Sequence, residues 1–110
     1  MSKTLYVTLV VGADPEVQVD EKVWGKPKLR WRQDDDSAEF DFVSITGLPE
    51  DSFEITKLTN SKINVNDLMI KGEYPYTITV RYKDSDGDWK EASTDVTAPI
   101  QEGGKPVIRN

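Results

Sequence analysis

Residues 74–83 read Tyr74-Pro75-Tyr76-Thr77-Ile78-Thr79-Val80-Arg81-Tyr82-Lys83, an alternation of two kinds of side chain. Tyr76, Ile78, Val80 and Tyr82 fall on one side; Thr77, Thr79, Arg81 and Lys83 fall on the other. Successive side chains of a strand point to opposite faces, so this pattern specifies a strand with one buried face. Ser85-Asp86-Gly87 follows. A three-residue loop with glycine in the left-handed position is a common hairpin type. The resulting register sets Arg81 opposite Glu91, Val80 opposite Ala92, Ile78 opposite Thr94 and Tyr76 opposite Val96. It leaves Trp89 on the outer face beside Lys83.

The same period recurs along the rest of the chain. Leu5, Val7, Leu9 and Val11 mark a strand over Thr4–Val11, and Val17 and Val19 mark a short edge strand in Glu16–Asp20. Leu29 and Trp31 alternate with Lys28, Arg30 and Arg32, while Phe40 and Phe42 alternate with Glu39 and Asp41. Joined across Gln33–Ser37, these two runs form a predicted hairpin with Trp31 against Phe40, Leu29 against Phe42 and Arg30 against Asp41. Beyond Phe42 the apolar phase moves to Val43 and Ile45, which predicts a β-bulge near Val43. Phe53, Ile55 and Leu58 mark a further strand, and Ile63 and Val65 a short one. Asn64–Lys71 is the best helical window, a turn or two at most, with Leu68 and Ile70 expected to plug the core. Residues from about 98 to 110 are expected to be an edge strand or a loose tail.

Composition narrows the chemistry. The chain has 110 residues, the size of one domain, with 36% hydrophobic and 31% charged residues. Its net charge of −6 opposes nonspecific nucleic-acid binding. It contains no histidine and no cysteine, which excludes Ser–His triads, thiol nucleophiles, disulfides and the usual zinc sites. No Gly-x-Ser-x-Gly elbow, phosphate loop or dinucleotide fingerprint occurs, so no enzyme is expected. No apolar run reaches the ~18–20 residues of a membrane helix, and no membrane partner is expected. The sequence as given reads as cytoplasmic, or as secreted if a signal peptide has been removed.

Seven to eight short strands in one small domain predict an all-β, antiparallel, two-sheet sandwich. Gly72-Glu73-Tyr74-Pro75-Tyr76-Thr77-Ile78-Thr79-Val80 resembles the strand that carries the tyrosine corner of immunoglobulin-like domains. In that resemblance Tyr74 matches the corner tyrosine, Tyr76 stands where antibody domains have a cysteine, and Trp31 resembles the core tryptophan. It implies an immunoglobulin-like sandwich, a fold that hosts adhesion, sugar binding and scaffolding. The chain is also similar to the uncharacterised bacterial DP-EP family at Asp14-Pro15, although it has no Glu-Pro dipeptide.

Three groups of residues stand out as candidate sites. Trp24, beside Gly25, and Trp89, beside Lys83, are expected on the surface, where an indole suits a protein partner or a sugar ring. The plainer alternative packs each over neighbouring lysine stems. Asp84, Asp86 and Asp88 alternate in a tight loop, a spacing that could supply oxygens to calcium. Against an EF-hand, Trp89 fills the glycine position and Asp95 the terminal glutamate position. A solvated turn explains the same residues. Asp34-Asp35-Asp36 is a second acidic turn. Lys22–Arg32 holds five basic residues interleaved with Trp24 and Trp31, a nucleic-acid-like pattern that the acidic chain as a whole opposes. The expected function is a non-catalytic protein-interaction or structural module, monomeric or weakly dimeric, of bacterial or phage origin. The alternative is a calcium-dependent sugar-binding or adhesion module.

Overall fold

The computed structural model describes residues 2–13, 15–19, 22–94 and 106–110. Eleven strands and no helix occur among them: β1 (Ser2–Val10), β2 (Glu16–Gln18), β3 (Lys22–Trp24), β4 (Lys28–Gln33), β5 (Asp41–Thr46), β6 (Phe53–Leu58), β7 (Lys62–Asp67), β8 (Glu73–Pro75), β9 (Thr77–Lys83), β10 (Trp89–Ser93) and β11 (Val107–Arg109). They form a five-stranded sheet, β2-β1-β4-β7-β6, and two three-stranded sheets, β10-β9-β5 and β3-β11-β8. The protein is all-β, but the expected seven to eight strands undercount it, and the expected antiparallel order is broken by two parallel pairs, β1 with β4 and β3 with β11. β3 and β11 are only three residues long, too short for alternation to register. The run over 74–83 is also divided. β8 ends at Pro75, Tyr76 donates its N–H to the Pro106 carbonyl (3.0 Å), and β9 continues in another sheet.

The hairpin built on that run has the expected register. Trp89 pairs with Lys83, Glu91 with Arg81 and Ala92 with Val80. Gly87 takes the left-handed conformation (φ 82°) that its loop needs. Thr94 and Ile78 also exchange backbone and side-chain hydrogen bonds. The expected partner of Tyr76, Val96, lies outside the described residues. The bulge near Val43 is present as a register shift between Phe42 and Ser44.

The predicted hairpin of Leu29–Trp31 with Phe40–Phe42 does not form. β4 lies between β1, to which it is parallel, and β7, to which it is antiparallel; β5 pairs with β9 instead. After β4 the chain is tied to β1 rather than folding back: Leu9 donates to Ser37 Oγ, and Ala38 donates to the Leu9 carbonyl. Period 2 identifies the buried face of a strand, not its neighbour. Leu29, Trp31, Phe40 and Phe42 are therefore all buried, but β4 and β5 belong to different sheets.

One apolar core is shared by all three sheets. Trp31 and Tyr76 lie at its centre, edge to face with ring centroids 5.4 Å apart. Trp31 Nε1–H donates to the Tyr76 hydroxyl at 3.1 Å, which satisfies a buried donor that would otherwise be costly. Tyr74 donates its hydroxyl to the Ile70 carbonyl at 2.9 Å.

Two further expectations are corrected. Residues 64–71 contain no helical turn, because β7 runs on through Asp67. Leu68 and Ile70 do not plug the core; each is 50% exposed, and the buried residue there is Asp67. The end of the chain is neither edge nor loose over 107–109. β11 is the middle strand of its sheet, parallel to β3 and antiparallel to β8. Residues 95–105 lie outside the described part.

Candidate functional site

The β9–β10 register puts Trp89 on the outer face directly across from Lys83. Its indole is 54% exposed. Arg81 Cζ lies 4.8 Å and Lys83 Nζ 5.2 Å from the ring centroid. Cations at this distance are attracted by the ring quadrupole and hold the indole in place. Arg81 is itself fixed by Asp41 on β5, with Nε 3.5 Å from the carboxylate. Trp89 and Lys83 form one wall of a groove of about 320 Å³, completed by Glu39, Phe40 and Asp41. Phe40 is held edge to face against Phe42 at 5.1 Å. The groove thus joins apolar aromatic surface to an ammonium donor and two carboxylate acceptors, a mixture suited to a polar partner with an apolar anchor.

Trp24 is 72% exposed at the end of β3, where it stands opposite Arg109 of β11. Val23 before it is buried, so the strand's alternation turns the indole outward. The two tryptophans are both on the surface, as expected, but on different sheets. Trp89 lies beside a groove. Glu39, Phe40 and Asp41 escaped the sequence reading because the incorrect hairpin paired them with β4, and they come from a part of the chain remote from Trp89.

The acidic loops are organised as turns. Asp84 Oδ1 accepts the N–H groups of Asp86 (2.9 Å) and Asp88 (3.0 Å), and its Oδ2 lies 3.9 Å from Lys90 Nζ. Asp34 Oδ1 likewise accepts the N–H of Asp36 at 3.0 Å. These are side-chain mimics of a backbone turn, which is why Asp starts each loop. Among the described residues, no three carboxylates gather in a group that could hold a metal ion. Asp84, Asp86 and Asp88 share a loop without converging. Asp84→Ala is expected to cost about 1 kcal/mol in urea denaturation by removing both turn hydrogen bonds, while Asp84→Asn retains most of the stability.

The basic run is also used internally at Arg32. Its guanidinium donates to the carbonyls of Trp31 (2.8 Å) and Ile63 (3.3 Å) and to Asn64 Oδ1 (2.9 Å). Desolvation, then the like charge of Arg30, lowers its pKa from the usual arginine value, with Tyr6 acting the other way. A guanidinium committed to three oxygens of its own chain has few donors left for a phosphate.

No family model, curated protein or solved structure matches this chain.

Proposed function

We propose that this protein is a non-catalytic interaction module, an immunoglobulin-like β-sandwich that binds a protein partner through the Trp89 groove, with Trp24 as a separate contact. The observation that carries the reading is the exposed indole of Trp89, braced by Arg81 and Lys83 beside a groove that Phe40 also lines. A large, rigid aromatic that need not be ordered on binding is a typical interface anchor. The sandwich is supported by the core that β1, β4 and β7 share with β5 and β9. The immunoglobulin-like reading is supported by the Tyr74 hydroxyl reaching back to the Ile70 carbonyl and by the packing of Trp31 on Tyr76.

The test is affinity capture with the immobilised chain, run in parallel with Trp89→Ala, Trp24→Ala and Trp89→Phe, each checked for folding by circular dichroism. The expected result is a protein partner held by the parent, weakened about 30-fold or more by Trp89→Ala, in the hot-spot range, and partly regained by Trp89→Phe. A partner held equally by the parent and the alanine variants, or none that Trp89→Ala loses, overturns the reading.

A further inference from the structure

A second face, sharing no residue with the Trp89 groove, displays half-exposed apolar side chains. β6 ends the five-stranded sheet. Ile55 pairs with buried Val65 and Leu58 with buried Ile63, so both point to the inner face of that sheet. They are nevertheless 47% and 44% exposed. Beside them lies a groove of about 330 Å³ lined by Leu48, Glu50, Phe53, Glu54, Ile55 and Leu68.

The adjoining loop extends the apolar surface. Leu68, Met69 and Ile70 are 50%, 47% and 50% exposed. Met69 is the one non-glycine residue with a left-handed backbone among the described residues (φ 61°). Its N–H is held by the buried Asp67 carboxylate at 2.8 Å. A backbone conformation of this kind is unfavourable for methionine, and such strain concentrates at clamps and binding sites. Here it holds three consecutive apolar side chains in water, the reverse of what burial alone would favour.

The charges around the groove select the occupant. Glu50 and Glu54 line it, and among the described residues no lysine or arginine does. A second copy would bring these acids against themselves in a chain of net charge −6. We infer that this face docks an apolar segment of a partner protein that is flanked by lysine or arginine. The apolar side chains fill the groove against Phe53, Ile55 and Leu68, and the flanking cations meet Glu50 and Glu54. Pairing of this kind supplies specificity and faster association, and weakens as salt is raised.

The test uses two synthetic peptides with the same core of leucine and phenylalanine, one flanked by lysine pairs and the other by glutamate pairs. Each is titrated into the labelled protein and followed by proton–nitrogen NMR. The lysine-flanked peptide is expected to shift Phe53, Ile55, Leu68 and Met69, and to bind at least about tenfold tighter than its counterpart, equivalent to about 1.4 kcal/mol. Glu50→Lys with Glu54→Lys should erase that preference, and Ile55→Ser with Leu68→Ser should abolish binding. These side chains are half exposed, so the variants should fold, and the unshifted core resonances check this. No shift at these residues, or equal affinity for the two peptides, overturns the inference. So does a concentration-dependent dimer in sedimentation that Ile55→Ser dissolves, because a second copy is then the occupant.

Discussion

Trp31→Ala is expected to cost about 3–5 kcal/mol, a large part of the roughly 5–15 kcal/mol that stabilises a domain. The indole has no exposed surface, packs edge to face on Tyr76 and donates to the tyrosine hydroxyl. Its strand lies between β1 and β7, where Trp31 pairs with Leu5 on one side and Ile63 on the other. Alanine leaves a cavity that three strands must collapse to fill. Trp31→Phe keeps most of the volume and should cost less than half as much. Trp24→Ala, at a 72% exposed position, should stay within about 0.5 kcal/mol. Urea denaturation followed by circular dichroism measures all three. Equal losses for the Trp31 and Trp24 variants would show that the indole of Trp31 is not in the core.

Gly25→Ala is expected to cost about 2–4 kcal/mol, through overpacking and loss of a buried hydrogen bond. A Cβ at this position would collide with Asn110 Oδ1 and lie 2.6 Å from Asp67 Oδ2. The displaced group is the Asn110 amide, which donates to the other Asp67 oxygen at 2.8 Å. Asp67 is only 4% exposed, so a carboxylate deprived of this donor cannot turn to water instead. Asn110→Gly removes the colliding group, and the double variant should then lose less than the sum of the two single changes. Full additivity in that cycle would mean that Gly25 and Asn110 do not meet.

The parts of the fold legible in the sequence are the local ones. β9, its hairpin with β10 and the bulge in β5 each follow from a few neighbouring residues: the Tyr76–Tyr82 alternation, the Ser85-Asp86-Gly87 loop and the phase change after Phe42. The failed β4–β5 hairpin had equally good alternation. What it lacked was information about which strand lies alongside, because β4's true neighbours, β1 and β7, are distant in the chain. The candidate sites divide in the same way. The exposure of Trp24 and Trp89 follows from their positions in short alternating runs. The groove beside Trp89 depends on Phe40 and Asp41 arriving from another strand. Ile55 and Leu58 look like core residues in pattern and do face inward, but a pattern does not state how far the opposing structure reaches. Leu68, Met69 and Ile70 gave no warning, since three consecutive apolar residues normally argue for burial.

The small sheet has a bearing on how the protein is made. Its middle strand, Val107–Arg109, joins Lys22–Trp24 from near the beginning of the sequence to Glu73–Pro75. On a ribosome, β3 and β8 emerge well before the strand that lies between them. Until that strand arrives, they have unpaired edges, and Gly25 lacks the Arg109 carbonyl that accepts its N–H. Closure of this sheet therefore waits for the strand that comes last of its three. Pairings of such long sequence separation also favour slow folding, in the millisecond-to-second range typical of β-proteins.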